Sequence, residues 1–243
     1  MSVRRDGRTY AQARPIQFEP DFTDAALASV LVSYGKTRVL CTISVEDSVP
    51  YWRRQQNPGM GWFTSEYALL PGSTEQRTRR ERPAPSGRTQ EIQRLISRSL
   101  RGVLNFKAFP DKTIYLDCDV IRADGGTRTA AISGGYVALA IACKRLLQKK
   151  KINSNPIQDG VHAMSLGILA GQVYVDLDYS EDSRADTDFN VVSTYSGKLL
   201  EIQGTAEEAP FSRTELNAML DAVEPCFEQI KELQQQAITK ATT

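Results

Sequence analysis

Two stretches of this 243-residue chain hold the residues best suited to chemistry, and they are opposite in sign. Residues 176–190, DLDYSEDSRADTDFN, carry six carboxylates and one base, Arg184. Residues 77–101 carry eight arginines, no lysine and two glutamates. Asp182 and Asp188 lie six positions apart, so a turn through 183–187 would bring both carboxylates to one cation. Hard divalent ions take oxygen ligands, and Mg²⁺ is commonly held by one or two carboxylates together with substrate phosphate. A solvated acidic loop has the same composition. Asp176 and Asp178, two apart, are expected to share a strand face and to pair with arginines. Arginine used without lysine favours two-pronged recognition of phosphate, although a salt-bridged helix face would also use it. Arginines spaced along a loop suit the backbone of a single nucleic-acid strand, and Trp62, Phe63 or Tyr67 would stack on bases if they were not core residues.

A second kind of anion site is written in glycine. Gly125 to Arg128, GGTR, follows a strand-like stretch and opens a helical one. Free backbone N–H groups and the helix dipole make such a turn an anion nest, and Arg128 adds a guanidinium fork. A plain glycine turn without a ligand has the same sequence. Ser86 to Thr89, SGRT, is another glycine-arginine helix entry, and a pair of them strengthens the phosphate reading. GxSxG, P-loop and HExxH motifs are missing. The only histidine, His162, sits in an apolar strand pattern as a core residue would, which excludes a two-histidine RNA cleavage within one chain. The remaining chemistry needs no activated side-chain nucleophile. Inorganic phosphate is itself an anionic nucleophile and requires only positioning and charge neutralisation.

These residues need elements to hold them. At 41% apolar and 24% charged residues, with a net charge of +1, the composition is that of an ordinary globular protein, and its length suits one domain spanning 1–243. Cys41, Cys118, Cys143 and Cys226 are scattered without metal-type spacing and read as reduced core residues. No secretory segment or bilayer-length apolar run is seen, so a cytoplasmic location with no membrane partner is expected. Residues 28–46 alternate around Tyr34–Thr37 as a hairpin. A long polar connection is expected from Val49 to Gly87. From Gly87, Ile92, Leu95, Ile96, Val103 and Leu104 follow helical spacing. Residues 112–122 alternate as a strand, 125–148 form a mostly apolar helix, and two hairpins turn at Ala170-Gly171 and Ser196-Gly197. A last helix opens with the capping box Ser212…Glu215, and Pro225 should kink it. Hairpins with three long helices give an α+β fold, helices packed on sheet.

Taken in order, GWFTSEYALLPGST, GRTQEIQRLISRSLRG, DCDVIRADGGTRTAAISGGYVAL, DLDYSEDSRADTDFNVV and IQGTAEEAPFSRTEL resemble the ribonuclease PH family of phosphate-dependent exoribonucleases. With RRDGR near the start, the resemblance covers nearly the whole chain. It implies an RNase PH-type fold, similar to domain 2 of ribosomal protein S5. It also implies 3′→5′ trimming of tRNA precursors by phosphorolysis, releasing nucleoside diphosphates, with nucleotidyl transfer as the reverse reaction. By position, Arg88, Gly126, Thr127 and Arg128 match the family's phosphate-binding residues. Asp182 and Asp188 match its catalytic metal-holding aspartates, for Mg²⁺ or Mn²⁺. Arg77, Arg79, Arg80 and Arg82 fall in its RNA-contacting loop, although RRERPAPSG is poorer in lysine than the family's commoner version. The resemblance further implies a homohexamer, a trimer of dimers. Two other readings are a non-catalytic RNA-binding ring subunit, which would have no reason to keep both halves of the site, and a metal-dependent hydrolase, which would leave the anion nest unexplained.

Overall fold

The computed structural model describes residues 4–81, 84–207 and 210–242. The first sheet combines β1 (Ile16–Pro20), β2 (Ala28–Tyr34), β3 (Thr37–Glu46), β4 (Trp62–Leu69) and β5 (Thr113–Arg122) in the order β1-β2-β3-β5-β4. All its pairs are antiparallel except β4 with β5. The second sheet is antiparallel, β6 (Val161–Leu169), β7 (Gln172–Val175), β8 (Thr187–Thr194) and β9 (Leu199–Ala206), in the order β7-β6-β8-β9.

Between the sheets lies one apolar helix. Of the five α-helices among the described residues, α1 (Tyr51–Gln56), α2 (Gly87–Arg101), α3 (Thr127–Gln148), α4 (Tyr179–Asp182) and α5 (Arg213–Lys240), it is α3 that packs against β2 and β3 on one side and β6 on the other. Its close approach requires glycine: a Cβ on Gly134 would come within 2.5 Å of Val32, and one on Gly135 within 2.6 Å of Leu116. By length and hydropathy α3 would pass for a membrane span, but 83% of its most apolar window is buried inside the protein. It is the core helix that both sheets need, because each sheet must bury one apolar face. Helix α5 covers β1, β6 and β7 with Met219, Val223, Phe227 and Ile230 buried, and its span continues through Pro225.

The expected hairpins, the 112–122 strand and the three long helices all appear within a few residues. The polar connection from Val49 to Gly87 does not survive, since it contains α1 and β4. Strand β4 hides in sequence because one of its inward positions, Ser65, is polar. The Ser65 hydroxyl is matched by Ser97 Oγ of α2 at 2.7 Å, and its backbone N–H donates to the same oxygen at 2.9 Å. Phe63 and Tyr67 on the same face are core residues. His162 is also buried and stacks on Phe227 at 4.2 Å. Burial pushes its pKa down to about 4, so it is neutral at pH 7. The four cysteines are free and buried.

Candidate active site

At the carboxyl end of β4 and β5, where α3 begins, the two sheets frame a cleft of about 1070 Å³. One edge of the cleft is the turn before α3. Gly125 and Gly126 both lie in the left-handed region, at φ 77° and 66°. A Cβ on Gly125 would meet the Leu177 carbonyl at 2.3 Å, so only glycine fits there. Helices α2, α4 and α5 are capped by the side chains of Ser86, Asp178 and Ser212, whereas no side chain caps α3. The first N–H groups of this 22-residue core helix therefore have no side-chain acceptor, at the positive end of its dipole. Arg128 borders the same cleft; its guanidinium donates to Gln203 Oε1 at 2.5 Å and lies 3.6 Å from Glu91. Arg88, one residue into α2, also lines it and is solvent-exposed. Tyr67 fixes the turn from below, its hydroxyl 2.8 Å from Thr127 Oγ1.

Opposite this edge stand Asp182 and Asp188, both lining the cleft. The chain turns between them within 183–187, as the sequence suggested. Asp182 ends α4, a single helical turn held by the Asp178–Glu181 capping box. Asp188 lies in β8 opposite Gly167 of β6, where a Cβ would meet Leu177 at 2.6 Å and the Thr187 carbonyl at 2.7 Å. Burial lifts the Asp182 carboxyl above the usual aspartate range, and the Asp188 charge lifts it further against Arg128, Arg88 and Arg14. Burial likewise raises Asp188; Arg128 and Arg88 oppose it, Glu207 adds to it, and a 3.5 Å hydrogen bond from Asn190 steadies the ionised form. Two carboxylates raised in this way are poised to take up a cation or a proton. Among the described residues no group of three or more His, Cys, Asp or Glu could hold a metal. The donor set thus fits an ion completed by water and phosphate, as Mg²⁺ is, and does not fit an all-protein cage.

The other four carboxylates of the acidic stretch have structural work. Asp176 is not on a strand face with Asp178: β7 ends at Val175 and Asp176 turns the chain at φ 57°. It is completely buried and binds Arg14 through three contacts of 2.7–2.8 Å. Glu181 is buried against Arg4, with one hydrogen bond at 2.8 Å and a second, shorter one. Arg8 reaches both groups, 3.6 Å from Asp176 and 3.7 Å from Glu181. Asp178 caps α4, and Asp186 accepts from Ala170 N at 2.9 Å. Arg14 also donates to the carbonyls of Asp124 and Gly125, so this ion-pair cluster props the glycine turn.

The cleft brings together Arg88, Gly126, Thr127, Arg128, Asp182 and Asp188. Arg77, Arg79 and Arg80 are exposed in the preceding loop and do not line it; Arg82 lies outside the described residues. Unanticipated are three more bases on the wall, Lys36, Arg38 and Arg122, and the polar floor residues Ser165 and Asn190. The floor residues left no distinct signal, since β6 also carries His162 and β8 also carries Thr187, Asp188, Ser193 and Thr194.

A family model described as "3′ exoribonuclease family, domain 1" matches residues 12–144, and its "domain 2" matches 160–222. The chain belongs to the 3′ exoribonuclease family. A ribonuclease PH of Synechococcus sp. (strain CC9605) is 50% identical over 237 residues, 98% of this chain and 95% of its own length. That of Crocosphaera subtropica is 48% identical over 238 residues, 98% of both. Among solved structures, rice (Oryza sativa) Rrp46 matches with TM-score 0.80 at 18% identity, over 97% of this chain and 100% of its own. An Archaeoglobus fulgidus exosome with RNA bound to the active site matches with TM-score 0.80 at 18% identity, over 95% and 92%. These structures share the fold, which is of RNase PH type. The chain is a phosphorolytic 3′→5′ exoribonuclease.

Proposed function

We propose that the cleft holds inorganic phosphate on Arg88, Arg128 and the backbone N–H groups of Gly126 and Thr127, in line with the last phosphodiester of an RNA 3′ end. A phosphate oxygen attacks the terminal phosphorus, the bond to the preceding 3′ oxygen breaks, and a nucleoside diphosphate leaves while that oxygen takes up a proton. Reversal adds a nucleotide and releases phosphate. The arginines and the α3 terminus supply positioning and charge stabilisation, the main contributions protein makes to phosphoryl transfer. Asp182 and Asp188 would hold Mg²⁺ or Mn²⁺, which when bound neutralises charge on the scissile phosphate and on the leaving oxygen. The observation that carries this reading is the meeting, in one cleft, of an uncapped helix terminus with two arginines and a pair of half-buried carboxylates.

The preferred substrates are tRNA precursors, approached through the exposed Arg77, Arg79 and Arg80 together with Arg82. The working form is a homohexamer, a trimer of dimers, supported by likeness to a chain of an archaeal exosome core, with TM-score 0.76. Four buried thiols without a disulfide suit the reducing cytoplasm. Incubation with a 3′-extended tRNA, with and without phosphate, tests the reading. Nucleoside diphosphates formed only with phosphate are expected; nucleoside monophosphates, or release indifferent to phosphate, would overturn it.

A further inference from the structure

Four buried side-chain atoms among the described residues make no hydrogen bond: Arg8 Nη2, Ser73 Oγ, His162 Nδ1 and Ser165 Oγ. Two of them, on Ser73 and Ser165, belong to residues lining the cleft. Ser73 belongs to the rim, where its carbonyl accepts from Ala123 N at 2.8 Å. Ser165 is different in place. It lies on β6 at 4% exposure, and its Oγ would be 3.1 Å from a Cβ on Gly126. The hydroxyl thus stands directly against the left-handed turn that opens α3.

We propose that Ser165 is a further phosphate-binding residue, its hydroxyl donating to an oxygen of inorganic phosphate held at the Gly126–Arg128 turn. This rests on the phosphorolytic reading above and extends it by one residue. A buried hydroxyl with no partner costs free energy that a ligand acceptor recovers, and orphaned polar atoms in native interiors call for such an explanation. A serine hydroxyl has one proton to donate, and a phosphate oxygen is an acceptor of the right kind. The residue is held in place from behind: its carbonyl accepts from Asp176 N at 2.8 Å, and Asp176 is locked by Arg14. Across the sheet it pairs with Asn190, whose amide donates to Asp188. Ser165 therefore sits on the floor between the anion turn and the carboxylates, where the attacking phosphate must lie to reach an RNA end. No neighbouring side chain holds the hydroxyl, so it is free to turn toward that phosphate.

The test is thermal unfolding of the full chain in buffer and in rising inorganic phosphate, for wild type and Ser165→Ala, with the phosphate dependence of exonuclease rate alongside. Without phosphate, Ser165→Ala should melt at the wild-type temperature or above it, because an unsatisfied polar atom has been removed. Its phosphate-induced rise in melting temperature should be smaller, and half-maximal rate should need about five- to tenfold more phosphate, as expected for one lost hydrogen bond. The RNA concentration for half-maximal rate should not move. A wild type that phosphate does not stabilise would overturn the phosphate site itself. A wild type that responds, with Ser165→Ala responding equally, would overturn only the role of Ser165. A lower melting temperature of Ser165→Ala in plain buffer, with an unchanged phosphate response, would also overturn it, by showing that the hydroxyl is satisfied internally.

Discussion

Arginine is used in two opposite ways at the two edges of this site. Arg4, Arg8 and Arg14 are buried, and their charges are matched within the fold by Asp176, Glu181 and, at 2.6 Å from Arg8, the partly exposed Asp6. Arg77, Arg79, Arg80 and Arg88 are exposed, and none of them has an ion pair among the described residues. The same side chain is a structural strut in one place and a solvated charge in the other. What separates them is desolvation. A charge taken out of water must meet its counter-ion within the fold, so the buried set cannot be available to a ligand. The exposed set keeps its hydration. Arg128 stands between the two, half committed to Gln203 and Glu91 and still at the cleft.

Breaking the buried set should have the largest effect. Arg14→Ala leaves the Asp176 side chain fully buried and short of its main partner. A loss of about 3–5 kcal/mol is expected from removing one partner of a buried pair, read by urea unfolding, and the glycine turn should lose its prop with it. Unchanged stability would mean that the cluster is a surface feature.

Next comes the acidic edge. Asp188→Asn should lower turnover by at least about a hundredfold, the scale for losing a charge-stabilising group at a reacting centre, without lowering stability. The sign follows from the raised carboxyl. Aspartate costs stability above its raised pKa, and that cost vanishes below the ordinary value of 3.8. In metal- and phosphate-free buffer the asparagine variant should therefore be the more stable at neutral pH, and the advantage should disappear as pH falls toward about 4. Unfolding curves at several pH values check this.

Smaller effects should come from the exposed set. Arg88→Ala should leave the melting temperature unchanged and raise the phosphate needed for half-maximal rate by roughly tenfold or more, the scale of a charge-assisted hydrogen bond. Smallest is the loop. Removing Arg77, Arg79 and Arg80 together should lower RNA affinity and flatten its logarithmic dependence on salt by about 0.7 for each RNA phosphate no longer neutralised, with no change in phosphate saturation. A phosphate defect in that variant would place the loop within the catalytic cleft.

The same contrast explains what could be read from sequence. Periodicity exposed the hairpins and the core helix because their inward positions are mostly apolar, as in α3, where Thr129 and Ser133 are the buried exceptions. Strand β4 was hidden by one inward serine that needed Ser97 of α2 to satisfy it. The glycine turn and the two aspartates were legible as residue types. The division of labour among the six carboxylates was not, because the partners that decide it lie far away: Arg4 is 177 positions from Glu181, and Arg14 is 162 from Asp176. Neither pairing leaves a local pattern. Ser165 escaped for a related reason, since a hydroxyl without a partner is visible only once its neighbours are known.

The division between buried strut and solvated charge is tested most directly by exonuclease rate against phosphate concentration for wild type, Arg88→Ala and Arg4→Lys, at a temperature where all three are folded. The half-saturating phosphate should rise at least about tenfold in Arg88→Ala and stay at the wild-type value in Arg4→Lys, whose defect should appear only in its melting temperature. Equal shifts in both variants, or a shift confined to Arg4→Lys, would contradict it.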